Sequence, residues 1–108
     1  MRIRVTTKLK VSGQKEIDVL VVRLAEALVA AEELASDLSE ADVTALARQR
    51  RVTVSIVVDS ESWERAQARG ASAVRGAIES IGGRVVADAE PITPGLQARI
   101  RSTELVPA

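Results

Sequence analysis

Residues 51–59 read RVTVSIVVD, and this stretch decides the fold because apolar side chains occupy every second position. The alternating residues from Val52 to Val58 are all β-branched aliphatics, which are the residue types enriched in strands. The residues between them, Thr53 to Val57, point to the opposite face. A period of two predicts a β-strand with one face on a core.

A helix is predicted over residues 61–81, directly after this strand, with Asp59-Ser60 as its cap. Gly70 lies near the centre of its apolar face, although a helical glycine costs about 0.5–1 kcal/mol relative to alanine. We therefore expect a neighbour to approach the backbone closely at Gly70, and Gly82-Gly83 to end the helix. The predicted core face comprises Trp63, Ala66, Gly70, Ala73, Val74, Ala77, Ile78 and Ile81.

The segment before the strand, residues 37–50, fits two structures. Residues 41–47 alternate as in a modest strand, whereas their alanine content and Ser39 as a cap fit a helix. We favour the strand, because residues 48–50 then form a polar hairpin turn into residues 51–59.

The N-terminal part predicts a strand followed by the longest helix. Residues 2–11 alternate between apolar and polar side chains, and Ser12 or Gly13 is predicted to cap a helix over residues 14–36. The core face of that helix is predicted to hold Ile17, Leu20, Val21, Leu24, Leu28 and Ala31.

The same helix carries a second apolar set, Val19, Val22 and Val29, outside the core face. A helix that covers one side of a sheet needs a single apolar stripe. Isolated exposed valines are common on protein surfaces. The alternative is a contact surface, either for the C-terminal tail or for a second copy of the chain.

Residues 84–90 predict a short strand that Pro91 ends. Thr93-Pro94 fits a cap followed by a first-turn proline, which predicts a short helix over residues 94–101 and a loose tail over residues 102–108. Leu105 and Val106 suggest that this tail packs on another part of the molecule.

The predicted order, β-α-β-β-α-β over residues 2–90, resembles the ferredoxin-like fold. The resemblance rests on topology and carries no family motif. It implies an α+β sandwich in which a four-stranded antiparallel sheet of order 4-1-3-2 has both helices on one face. Residues 1–90 would form this domain, and residues 91–108 would be a C-terminal extension.

Composition narrows the classes of function. The 108 residues include no His, Cys or Tyr, and Lys plus Arg balance Asp plus Glu at 15 each. The missing residue types remove most catalytic bases and nucleophiles and argue against a zinc site. The charge balance argues against a nucleic-acid or membrane-surface partner. We expect a non-enzymatic protein without cofactor.

No signal peptide is visible, and the Ala/Arg/Val bias suggests a GC-rich genome, so a cytoplasmic bacterial protein is expected.

Three local groups of residues allow either a functional or a purely structural interpretation. Asp88 and Glu90 resemble paired carboxylates, but we expect them to form cross-strand ion pairs with Arg4, Lys8 and Lys10. We expect the cluster of Arg48, Arg50 and Arg51 to lie in a solvated hairpin turn. The turn Ser12, Gly13 and Gln14 is a candidate anion or ligand site at a helix N-terminus.

The favoured function is protein–protein contact. We expect a homodimer or another homo-oligomer, or a complex with a different protein. The alternative is a small-molecule-binding regulatory domain that uses the Ser12–Gln14 turn or a dimer interface. A diverged enzyme of the dimeric α+β barrel type is a third reading, although such barrels commonly use His or Tyr.

Overall fold

A computed structural model describes residues 1–13, 16–87, 89–91 and 93–108. The described chain is an α+β structure with two α-helices and one five-stranded sheet. In chain order the elements are β1 (Arg2–Ser12), α1 (Ile17–Leu34), β2 (Leu38–Leu46), a 3-10 helix (Ala47–Gln49), β3 (Arg51–Asp59), α2 (Trp63–Ser80), β4 (Arg84–Val85) and β5 (Gln97–Pro107).

The sheet has the strand order β2-β3-β1-β5-β4. All neighbouring strands are antiparallel except β4 and β5, which are parallel, so the sheet is mixed. The predicted four-stranded antiparallel sheet is therefore wrong in detail. An additional strand, β5, lies between β1 and the short β4, in the place that the prediction gave to residues 84–90.

The prediction of a short helix over residues 94–101 and a loose tail over residues 102–108 is wrong. Strand β5 pairs with β1 along its length, from Ile3 opposite Pro107 to Ser12 opposite Gln97. The N–H of Ala108 donates to the Arg2 carbonyl, with a nitrogen-to-oxygen distance of 3.0 Å. The C-terminal residues thus complete the sheet.

The ambiguous segment is a strand, as favoured. Strand β2 pairs with β3 in an antiparallel hairpin, and Arg50, at φ 52°, adopts the left-handed conformation where the 3-10 helix ends. A β-bulge interrupts the pairing between Ser39 and Asp42, and Glu40 within it also has φ 52°. Bulges in edge strands increase the local twist and hinder pairing with another chain.

The core lies between one face of the sheet and the two helices. The alternating residues of β1 and β3 that were predicted to face it are buried, from Ile3 to Val11 and from Val52 to Val58. Gly70 of α2 contacts Val5: a Cβ built on Gly70 would lie 2.7 Å from Val5 Cγ1. This confirms the predicted close approach to the backbone.

Both helices begin later than predicted. Helix α2 is capped by Ser62, whose hydroxyl accepts a hydrogen bond from the Arg65 N–H at 3.1 Å, and not by Asp59 or Ser60. Trp63, predicted to be in the core, is the first residue of α2 and is 42% exposed. Helix α1 has Glu16 at its N-cap position without a side-chain hydrogen bond, so neither Ser12 nor Gly13 caps it.

Candidate functional site

The three valines singled out in the sequence lie on the exposed side of α1. Val19, Val22 and Val29 are 43%, 56% and 47% exposed. The core-facing side of the same helix is buried through Ile17, Leu20, Leu24 and Leu28. Helix α1 is therefore apolar on two sides, of which only one is used by the described fold.

Val22 and Val29 line a shallow groove of about 520 Å³, here called the α1 groove. Val19 is exposed on the same helix but does not line it. Three further lining residues, Ala25, Glu26 and Glu33, were not predicted, although their spacing of three or four residues from Val22 or Val29 was a signal for them. Val21, which was predicted to face the core, also lines this groove. The α1 groove is lined by Val21, Val22, Ala25, Glu26, Val29, Ala30 and Glu33.

The apolar surface continues from the α1 groove toward α2. Ala30 also lines a second groove, about 360 Å³ in volume, which lies between the two helices. Leu34, at the end of α1, contributes to this second groove and is 90% exposed. Because Ala30 lines both grooves, Leu34 and the two valines belong to neighbouring apolar surfaces.

The polar groups of the α1 groove are acidic. Glu26 and Glu33 are both exposed and line it, and Asp18 lies one helical turn before Val22. Helix α1 contains four acidic residues and a single basic one, Arg23. A guanidinium nitrogen of Arg23 lies 3.5 Å from the Ile81 carbonyl oxygen at the end of α2. The positive charge of α1 is thus directed toward α2.

The C-terminal residues do not cover the α1 groove. They form β5, which pairs with β1 and β4 within the sheet. Docking of residues 97–107 onto the α1 groove, one of the alternatives considered from the sequence, is therefore excluded.

The Ser12–Gly13 turn, a candidate ligand site in the sequence, lies against the backbone at Gly95. Gly13 has φ 82°, and a Cβ built on it would lie 1.8 Å from the Gly95 carbonyl oxygen. The close approach requires glycine, and the partial negative charge of the carbonyl does not favour an anion there. Gln14 lies outside the described residues, so the ligand turn stays a prediction.

The face of the sheet opposite the helices is crossed by an ion-pair network. Arg4 donates to the Ser55 hydroxyl at 3.0 Å and lies 3.5 Å from a Glu40 carboxylate oxygen. Arg2 pairs with the other oxygen of Glu40. The Arg4 side chain therefore crosses β3, and Val57, which points to this face, is 1% exposed.

Glu90 does not form the cross-strand ion pairs that were predicted for it. Glu90 lies 4.0 Å from Arg84 and also accepts from the Ala87 N–H, whereas Arg4 pairs with Glu40. The reason is that β5, and not residues 84–90, lies beside β1. Asp88 lies outside the described residues. Lys10 donates to the Gln49 carbonyl, and Lys8 is exposed opposite Ser102.

The arginine cluster at the hairpin turn has a structural role through Arg50. Its Nε donates to the Val11 carbonyl at 3.3 Å, and its own carbonyl accepts from the Val11 N–H at 2.9 Å. The turn is thereby attached to the end of β1. Arg48 and Arg51 are exposed, in agreement with a solvated turn.

A second charged pair links the loop after α1 to α2. Arg69 donates from Nε to Asp37 Oδ2 at 2.8 Å and from Nη2 to Oδ1 at 3.3 Å. These hydrogen bonds hold the pKa of the Asp37 carboxyl below its usual value. Both side chains are more than one third exposed. The pair borders the groove between the helices and serves to hold the loop.

Comparison with known proteins adds no relative: no family model, no curated protein and no solved structure matches the chain. Within the described ranges, no three acidic side chains gather closely enough to hold a metal ion. None of the helices formed by the described residues has the length and apolar character needed to cross a membrane. The α1 groove is the feature that best supports a functional assignment.

Proposed function

We propose that this protein is a non-enzymatic module that makes protein–protein contacts through the α1 groove and the apolar surface beside it. The observation that carries the proposal is the exposure of Val22 and Val29 in one groove on a helix whose other side already fills the core. The absence of His, Cys and Tyr from the sequence supports the non-enzymatic part of the proposal.

Helix packing is the mode of contact that this surface supports. Strand pairing at the β2 edge is disfavoured by its bulge, where the Ala41 N–H donates to the Glu32 carboxylate at 2.6 Å. The other edge strand, β4, has only two residues. A chain that binds would therefore lay side chains into the α1 groove, as a helix does in a hydrophobic groove.

We also propose that the fold is a variant of the ferredoxin-like arrangement. The element order through Val85 and the central neighbours β3 and β1 support this relationship. The variant differs by the insertion of β5 between β1 and β4. Helix α1 packs next to β2, at the end of the sheet away from β5, and nothing in the described chain covers its groove.

Photo-crosslinking in the cells that make the protein tests the contact function. A benzoylphenylalanine at position Val22 is expected to form an adduct with a protein chain, whereas the same group at Ala68, an exposed alanine of α2, is not. An adduct of twice the mass identifies a second copy, and any other mass identifies a different protein. Equal adducts from both positions, or none from Val22, would contradict the proposal.

A further inference from the structure

From the charges beside the α1 groove we infer that its occupant is a basic amphipathic helix of another protein, with apolar side chains flanked by Lys or Arg. This inference rests on the proposed contact function and names the chemistry of the partner. It is carried by the order of side chains along the exposed ridge of α1, where carboxylates and apolar residues alternate.

The ridge follows the helical spacing of three to four residues: Asp18, Val22, Glu26, Val29 and Glu33. Each valine therefore has a carboxylate one turn before it and one turn after it. A partner whose apolar side chains enter between these carboxylates must bring its own flanking residues next to them. Basic flanking residues would form ion pairs there, and acidic ones would be repelled.

A second copy of the chain is a poor occupant by the same criterion. In a two-fold dimer the same patch of both copies is in contact. Glu26 and Glu33 would then face carboxylates of the second α1 in either helix direction, because the ridge offers no cation. Arg23, the basic residue of α1, extends toward Ile81 and away from the α1 groove. Like charges held together at an interface oppose association.

The two strand edges do not offset this repulsion. A second copy that added to the sheet at β2 would meet the bulge at Glu40, whose carboxylate already pairs with Arg2 and Arg4. The ridge and the neighbouring edge thus both disfavour self-association through this side of the molecule. A basic helix meets neither obstacle, since it needs only the α1 groove.

Two synthetic peptides test the inference with the full-length protein. Both are amphipathic helices with the same leucine face, flanked by lysines in one and by glutamates in the other. The lysine peptide is expected to bind and to shift the amide NMR signals of Val22, Ala25 and Val29. The glutamate peptide is expected to bind at least about tenfold more weakly, and added salt should reduce this difference.

Variants separate the apolar and the charged contributions. The double variant Val22→Ser/Val29→Ser is expected to lose at least about tenfold in affinity for the lysine peptide, because each valine loses about 1 kcal/mol or more of apolar burial. The double variant Glu26→Gln/Glu33→Gln is expected to lose several-fold and to bind both peptides alike. Val106→Ser, at a valine of similar exposure on β5, is the control and should bind normally.

The inference is overturned if neither peptide binds, if both bind equally to the unchanged protein, or if the NMR shifts fall outside α1. Its failure is distinguishable from failure of the proposed function. A crosslinked adduct from Val22 to a second copy would support the contact function and contradict the basic partner. Absence of any adduct from Val22 would contradict both.

Discussion

The backbone of α2 at Gly70 lies directly against the side chain of Val5 in β1, with 2.7 Å between a Cβ built on Gly70 and Val5 Cγ1. Val5 is 1% exposed and has strand neighbours on both sides. It therefore has little room to yield. The contact fixes how closely α2 approaches the middle of the sheet.

Gly70→Ala is expected to destabilise the protein. Overpacking costs about 1–3 kcal/mol, which exceeds the gain of about 0.5–1 kcal/mol from placing alanine in a helix. The matched control is Gly76→Ala in the same helix, where an added Cβ meets nothing within 4 Å and should stabilise. Urea denaturation of both variants measures the difference, and a stabilised Gly70→Ala protein would contradict the packing described.

Gly13→Ala is expected to cost more than Gly82→Ala. Both glycines have positive φ, 82° and 89°, where a side chain carries a strain of about 1–2 kcal/mol. Only at Gly13 does the added Cβ also collide with the backbone, namely the Gly95 carbonyl, because Gly82 has open space. Denaturation midpoints of the two variants compare them, and equal losses would show that the segment near Gly95 yields freely.

Asp37→Asn is expected to lower the free energy of unfolding at neutral pH by a fraction of a kcal/mol to about 1 kcal/mol, since the pair with Arg69 is partly exposed. The pKa of Asp37 is depressed in the folded state by hydrogen bonds from Arg69. The stabilisation that this ion pair contributes is therefore fully present above the pKa of Asp37 in the unfolded chain, which is near 4. It is lost as the pH falls through the lower pKa of Asp37 in the folded protein.

The difference in unfolding free energy between wild type and Asp37→Asn should accordingly shrink as denaturation is measured at pH values progressively below that of the unfolded carboxyl pKa. Glu61→Gln, which changes an exposed pair with Arg65 one helical turn away, is the control and should have a smaller effect at neutral pH. An Asp37 effect that does not change with pH would argue against the ion pair as its cause.

Glu32→Ala is expected to loosen the bulge of β2. The Glu32 carboxylate accepts the Ala41 N–H at 2.6 Å, and removing one partner of such a hydrogen bond costs about 1–3 kcal/mol where the donor is shielded from water. Amide hydrogen exchange at Ala41 should accelerate, whereas Glu33→Ala, at the exposed neighbour, should leave it unchanged. Unchanged exchange in both variants would contradict the role of Glu32.

The sequence predicts the parts of this fold that have a regular period. Strands β1 and β3 and the core faces of both helices, apart from Trp63, follow from alternation or from helical spacing. Gly70 follows from its position on an apolar face. The element order up to Val85 results from these signals. The exposed side of α1 follows as well, since Val22 and Val29 had no place in the core.

Strand β5 escapes prediction because a bulge breaks its period. Leu9 pairs with Ile100 but Lys8 pairs with Ser102, so Arg101 is an extra residue. The core-facing positions are therefore even-numbered before the bulge, as at Ala98, and odd-numbered after it, as at Leu105. A window across the bulge shows no alternation, and Thr93-Pro94 independently resembles a helix start.

The helix caps and the surface ion pairs could not be predicted from the sequence either, for a different reason. Ser60 and Ser62 are both suitable caps, and only the path of the chain selects Ser62. Glu40 pairs with Arg2 and Arg4 because the bulge turns it toward them, which depends on the strand register. These are tertiary outcomes that a single sequence leaves open.

The pairing of β1 with β5 has a consequence for synthesis on the ribosome. Strand β1 begins at Arg2 and its neighbour β5 ends at Pro107, so β1 gains this second partner only after residues 97–107 have emerged. Until then its apolar residues have β3 alone beside them, and the closure of such a distant contact is intrinsically slow. The nascent protein would thus expose an unfinished sheet to chaperones until residues 97–107 have left the ribosome.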